Sequence, residues 1–216
     1  MKNAGYFYML NRLRKTPLIL VTLFTLVLWT GLLPSVTLPQ ENPTTWEVCF
    51  SPRGQCTDAI IKELNKAKNS VLVQAYSFTS APIAEALLNA FNRGVKVEVI
   101  LDRRGKTEKS SKATFFIEKG IPVMIDDKHA KAHSKVMVID RETVITGSFN
   151  LTEAAEKNNA ENLLIIHDRK LAEKYVKNWH EHAQHLKLYV GSGLTKAGPV
   201  LQKLVQEKDE VSDPER

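Results

Sequence analysis

Strand and helix signals alternate over most of the chain and predict an α/β fold, a mixed, largely parallel sheet flanked by helices on both faces. Short β-branched runs, such as Val71-Leu72-Val73 and Val95 to Leu101, recur between stretches with helical apolar spacing. Gly94 and Gly120 each stand where a helical stretch gives way to a strand. Of the 216 residues 43% are hydrophobic and 25% charged, which suits one compact domain and is too apolar for a disordered chain.

After a Pro-marked linker from Pro39 to Pro43, Trp46 to Phe50 reads as the first strand and Thr57 to Lys68 as a helix, with apolar positions at Ala59, Ile60, Leu64 and Ala67. Val71 to Tyr76 is the next strand. Ser80 is placed to cap a helix that has Pro82 in its first turn and runs to Arg93 before Gly94 stops it. Val95 to Leu101 is a strand. A basic polar loop follows from Asp102 to Lys112, then a short helix to Lys119, and Gly120 leads into the strand Ile121 to Ile125. Lys135 to Ile139 and Thr143 to Phe149 are separated by Asp140-Arg141-Glu142, which reads as a tight hairpin. Glu161 to His167 is a further strand and Lys170 to Leu188 a long closing helix.

The ends differ from this body. Four of the 30 basic residues and none of the 24 acidic ones fall within residues 1–40, so the remainder is close to neutral and the overall pI of 9.2 does not argue for nucleic acid. Those four charges precede an uncharged stretch from Thr16 to Gln40 whose centre is strongly apolar. This pattern is that of a signal peptide or an N-terminal membrane anchor, and either predicts export of everything after Leu38. An uncleaved segment would keep the protein against the membrane. Cys49 and Cys56 bracket a Pro/Gly-containing loop, and are read either as one bridge formed in an oxidising compartment or as two free thiols. Two cysteines cannot build a disulfide-dense scaffold, and one long apolar run excludes a polytopic membrane protein. The organisation is therefore 1–40 as leader or anchor, 41–190 as the catalytic domain, and 191–216 as a polar tail, with a short helix around Val200 to Gln206. No internal repeat is present, so a duplicated site would need a second chain.

The chemistry concentrates around the hairpin. His133 and Lys135 are two apart, so a strand would project them together, and Ser148 and Asn150 would do the same at the end of the neighbouring strand. If the hairpin pairs in register, these four side chains converge. They suit a phosphate diester: Lys135 as a compact positive charge, Ser148 and Asn150 as neutral donors, and His133 as nucleophile or acid–base group. Asp140 lies an odd seven residues after His133, faces the other way, and is given a structural role in orienting the site. Glu161 is expected to accept the imidazole N–H of His133.

This set, HxKxxxxD followed by GSxN and then an acidic residue eleven positions after the Asn, resembles the phospholipase D superfamily, and most the single-motif Nuc-type bacterial endonucleases. The resemblance runs from about Trp46 to Leu188 and includes Tyr76-Ser77-Phe78-Thr79. It implies a phospholipase D-like fold, catalytic roles for His133, Lys135, Asp140 and Glu161, and no metal or cofactor. It also implies a homodimer in which two copies of the motif form one active site. One His133 would attack phosphorus to give a phosphohistidine, and the other would protonate the leaving oxygen and then activate water.

Several other groups have blander readings. His180 and His182 would point about 200° apart on a helix, so with His185 they read as a polar helix face rather than a metal cluster. His129 and Lys131 lie in an exposed loop at the entrance to the site. Arg103, Arg104, Lys106, Lys109 and Lys112 form a basic loop placed where α/β sheets put ligand loops, able to steer phosphate polymers or lipid headgroups. Functionally the chain reads as an exported, periplasmic or secreted, non-specific endonuclease acting on DNA or RNA. A phospholipase D acting on phospholipids is the alternative, and a non-catalytic phosphate-binding protein a third.

Overall fold

The computed structural model describes residues 43–190. The apolar N-terminal segment, the polar tail and the expected helix from Val200 to Gln206 lie outside them. Among the described residues no helix is long and apolar enough to cross a membrane.

Seven strands form one sheet: β1 (Thr45–Ser51), β2 (Ser70–Ala75), β3 (Lys96–Asp102), β4 (Val123–Asp126), β5 (Lys135–Ile139), β6 (Thr143–Gly147) and β7 (Glu161–His167). Five α-helices accompany them: α1 (Cys56–Lys66), α2 (Ala81–Asn92), α3 (Ala113–Glu118), α4 (Glu153–Lys157) and α5 (Arg169–Gln184). The strand order is β1-β7-β6-β5-β2-β3-β4. The expectation of a mixed α/β sheet with helices on both faces holds. Its parallel part is smaller than expected, being confined to β2-β3-β4, while β1-β7, β7-β6, β6-β5 and β5-β2 are antiparallel. The reason is the missing crossover helix: no helix lies between β4 and β5, so the chain re-enters the sheet at the end where β4 leaves it and β5 runs against β2, and the β5–β6 hairpin adds a further antiparallel pair.

Alternate residues of each strand feed two cores. Val71, Val73, Val97, Val99, Met137 and Ile145 pack with Ile60, Leu64, Ile83, Leu87 and Phe116 of α1, α2 and α3. On the opposite face Leu72, Ile100, Val138 and Val144 meet Ala172, Val176 and Trp179 of α5. The Trp179 indole N–H donates to the Val73 carbonyl at 2.9 Å, fixing α5 over the sheet centre.

Local chemistry sets the element ends. Ser80 caps α2 ahead of Pro82, and Gly94 follows at φ 91°, as the sequence signals. The Arg93 guanidinium donates to the Leu64 and Ala67 carbonyls at 2.8 and 3.3 Å, satisfying the open end of α1. Asp168 caps α5 through the Leu171 N–H at 2.9 Å. This helix ends at Gln184, four residues short of the expected Leu188. The helix α4 has no long periodic run and was not expected; it forms because Thr152 caps it and Ala155 is buried in the first core. Its Glu156 carboxylate accepts the Thr57 N–H at 2.7 Å at the start of α1. Cys49 and Cys56 are disulfide-bonded, with Cα atoms 5.7 Å apart, tying β1 to α1.

Candidate functional site

The β5–β6 hairpin pairs in the expected register, Val136 opposite Thr146 and Ile139 opposite Thr143, so the start of β5 adjoins the end of β6. His133 lies two residues ahead of β5, outside the strand, yet its side chain still meets Lys135. The Lys135 ammonium donates to His133 Nδ1 at 3.1 Å and to the His133 carbonyl at 2.7 Å. Tyr76, just past the end of β2, walls the pair: its ring centroid is 4.5 Å from the imidazole and 5.2 Å from Lys135 Nζ. The Tyr76 N–H donates to the Ser134 carbonyl at 3.1 Å, because β2 is the other neighbour of β5. Lys135 is only 9% exposed. Burial pushes its pKa below the ordinary lysine value, and the Glu161 charge opposes that shift.

The second half of the site is a turn. Strand β6 ends at Gly147, two residues earlier than expected, and Ser148 to Asn150 fold around the Asn162 carbonyl, which accepts the N–H groups of Ser148 and Phe149 at 3.1 and 3.2 Å. Gly147 sits at φ 147°, and a Cβ there would stand 2.3 Å from the same carbonyl oxygen. Only glycine fits. Phe149 is fully buried and anchors the turn. Ser148 Oγ donates to Glu161 Oε2 at 2.6 Å and accepts the Asn162 N–H at 3.1 Å. The Asn150 side-chain oxygen is buried with no hydrogen-bond partner.

Two sequence expectations change. Glu161 does not accept a hydrogen bond from His133: its two oxygens are taken by Ser148 and by Asn159 Nδ2, the latter at 3.1 Å. β6 lies between β7 and β5, which sets Glu161 about 10 Å from the β5 backbone. Asp140, counted in the catalytic set by resemblance, does not join the site and serves the structural role that its odd spacing predicted. It follows the far end of β5, on the order of 20 Å from His133 along the strand. Its carboxylate accepts the N–H groups of Lys68, Asn69 and Ser70 at 2.9, 2.7 and 2.9 Å. Asp140 and Arg141 both have positive φ, 54° and 57°, and the Glu142 N–H returns to the Ile139 carbonyl, a type I′ pattern suited to a tight hairpin.

The basic loop is partly consumed as bracing. Arg103 donates to the carbonyls of His129 and Ala130 at 2.6 and 2.9 Å, and Lys106 pairs with Asp127. Arg104 instead reaches the Tyr76 hydroxyl at 2.9 Å, so a cation flanks the histidine wall. The sequence marks Tyr76 within the resembling segment and Arg104 within the basic loop, but not their place beside His133, which follows from the pairing of β2 with β5. Asp126, fully buried at the end of β4, accepts from His129 Nδ1 at 2.9 Å and lies 3.4 Å from His182 Nδ1. Burial pushes its pKa up, but the hydrogen bonds from the side chain and backbone of His129, and from His182, hold it below the usual carboxylate value. His180 does lie on an exposed helix face, whereas His182 turns inward and completes a group able to hold a metal ion.

Comparison with known proteins assigns this architecture. Residues 60–183 match the family model described as the cardiolipin synthase, phospholipase D-like domain. The chain belongs to the phospholipase D superfamily. It is 44% identical over 142 residues to a protein of Rickettsia typhi named phospholipase D, covering 66% of this chain and 70% of that one. It is 31% identical over 153 residues to the mitochondrial cardiolipin hydrolase of Xenopus laevis, covering 64% and 73%. The structure of Nuc, a phospholipase D family member from Salmonella typhimurium, superposes with a TM-score of 0.66 at 37% identity, covering 69% of this chain and all of that one. As a member of the superfamily the chain is a phosphodiesterase.

Proposed function

We propose that this phosphodiesterase hydrolyses nucleic acid without metal, through a covalent phosphohistidine, at a site shared by two copies of the chain. The observation carrying this reading is the His133–Lys135 pair. An ammonium has no lone pair, so the Nδ1 atom facing it must accept, and a neutral His133 then carries its proton on Nε2. A phosphodiester entering the site draws the Lys135 charge onto its non-bridging oxygens. That frees Nδ1 to take the proton and leaves Nε2 with the lone pair that attacks phosphorus. The N–P bond forms, the P–O bond to the leaving group breaks, and the departing oxygen needs a proton. No second histidine joins this constellation among the described residues, and all six histidines of the chain lie within them. His133 of the partner subunit supplies that proton and then takes one from the water that cleaves the N–P bond. The Asn150 amide N–H binds an equatorial oxygen, and the Ser148 hydroxyl binds another once it turns from Glu161. The disulfide between Cys49 and Cys56, with the apolar leader, supports action in an exported, oxidising compartment.

A second reading, phospholipid hydrolysis, is favoured by Trp46, Val48 and Phe50, which alternate along the edge strand β1 and are 66%, 41% and 64% exposed. With an uncleaved N-terminal anchor they would lie at a lipid surface. Purified protein in EDTA is offered plasmid DNA and, separately, phosphatidylcholine vesicles with a primary alcohol; His133→Ala is the blank. Cleaved DNA with untouched lipid supports the nuclease reading. Phosphatidyl-alcohol with intact DNA replaces it by the lipid reading, and phosphate binding without turnover in either assay overturns both.

A further inference from the structure

Asp126, His129 and His182 come from three places in the fold: the end of β4, the loop that leads to His133, and the last turn of α5. Each offers one ligand atom, and these atoms all lie within 4.8 Å of one another. A tetrahedral zinc ion with bonds of about 2.0–2.1 Å separates its ligand atoms by about 3.3 Å. The spacings here, 2.9 Å from Asp126 Oδ2 to His129 Nδ1 and 3.4 Å to His182 Nδ1, bracket that edge. The imidazole centroids are 5.1 Å apart, so the rings flank the carboxylate without stacking.

The surroundings also fit. The other Asp126 oxygen, Oδ1, accepts the backbone N–H groups of Lys128 and His129 at 3.2 Å, which fixes the carboxylate; His129 Nδ1 lies 3.1 Å from Oδ1 and 2.9 Å from Oδ2, and His182 Nδ1 faces Oδ2. Such outer-shell bonds orient metal ligands. Asp126 is fully buried, while the His129 and His182 side chains are 55% and 23% exposed, so an ion can enter from the solvent side and keep a water as fourth ligand. Two imidazoles and one carboxylate select a first-row transition ion of the zinc type over magnesium or calcium, which prefer all-oxygen sites.

We infer that Asp126, His129 and His182 form a site for a zinc-type divalent ion, which pins α5 to the loop carrying His133. To hold the ion, His129 and His182 each present the Nδ1 lone pair and carry their N–H on Nε2, so the ion takes the place of the two hydrogen bonds that now run to Asp126 Oδ2. None of the three belongs to the phosphate-binding set. Arg103, holding the carbonyls of His129 and Ala130, and buried Asp102, accepting the Ala132 N–H at 2.8 Å, brace the same loop from β3. The ion adds a third brace, from the helix side.

The test titrates ZnCl2 into tag-free, EDTA-stripped full-length protein by calorimetry, with thermal melting alongside. His182→Ala, His129→Ala and the control His180→Ala are compared with the parent. One saturable site is expected in the parent and in His180→Ala, with a zinc-dependent rise in Tm. Both other variants should bind zinc at least about tenfold more weakly and lose the rise in Tm. Circular dichroism establishes that the variants are folded without metal. No saturable zinc binding by the parent, or parental affinity in either His129→Ala or His182→Ala, overturns the inference. Because the readouts are affinity and Tm, failure of the proposed nuclease reaction leaves the result unaffected.

Discussion

Asp140 separates the catalytic and structural readings of the motif most cleanly. Its Oδ1 accepts the N–H groups of Asn69 and Ser70, and its Oδ2 that of Lys68. Bonds to a charged acceptor contribute about 1.5–3 kcal/mol each when well shielded, and about 1 kcal/mol each is appropriate here because Lys68 and Asn69 are exposed. Asp140→Ala removes all three and should cost about 3 kcal/mol. Asp140→Asn keeps the bonds to Asn69 and Ser70, tolerates the positive φ, and turns its amide toward the Lys68 N–H, so it should cost about 1–2 kcal/mol. For a domain of this size each kcal/mol shifts Tm by about 2–4 °C, giving a drop of about 6–12 °C for the alanine variant and less for asparagine. Turnover of the folded variants at room temperature should stay within about twofold of the parent, since the change lies far from His133. The assay is thermal melting by circular dichroism together with phosphodiester hydrolysis well below both melting temperatures. His133→Ala is the mirror control, with Tm retained and turnover lost. An unaltered Tm in Asp140→Ala, or a folded Asp140→Asn that loses more than about tenfold in turnover, would refute the structural assignment.

Gly147→Ala should lower stability by at least about 2 kcal/mol and reduce activity, because its Cβ meets the Asn162 carbonyl at 2.3 Å and the Ser148 turn must open; a melting curve and a hydrolysis assay on the same sample check it. Lys135→Met should abolish turnover while leaving Tm unchanged or higher. The lysine pKa is lowered on folding, so the destabilisation from burying its charge is fully present at neutral pH and fades as pH rises through the folded pKa toward the unfolded value. The Tm gap between Lys135→Met and the parent should therefore be widest near neutrality and close in the alkaline range; a gap that widens with pH contradicts this. Reducing the Cys49–Cys56 bond, which closes a short loop with a sequence separation of 7, should cost about 2–3 kcal/mol, read as a fall in Tm of about 5–10 °C with dithiothreitol.

The sequence by itself determined what short-range chemistry controls. The short apolar and β-branched runs placed all seven strands, and Ser80 with Pro82 started α2 as Gly94 ended it. The hairpin joined His133 and Lys135 to the GSxN turn, because strand register follows from a three-residue connection. The odd spacing of Asp140 predicted that it stands apart from His133, as it does, although length along β5 rather than alternation accounts for the separation. Tertiary structure decided which distant strands pair and in which direction. That choice depends on burying two sheet faces at once, which periodicity within one strand does not encode. So β5 lies antiparallel to β2, and Tyr76, rather than Glu161, stands against His133. The short helix α4 is likewise held by burial of Ala155 and by the Glu156 contact with α1 rather than by propensity. His182 looked like part of a polar helix face beside His180, and only the packing of α5 over the sheet turned it toward Asp126, 56 residues away in the chain.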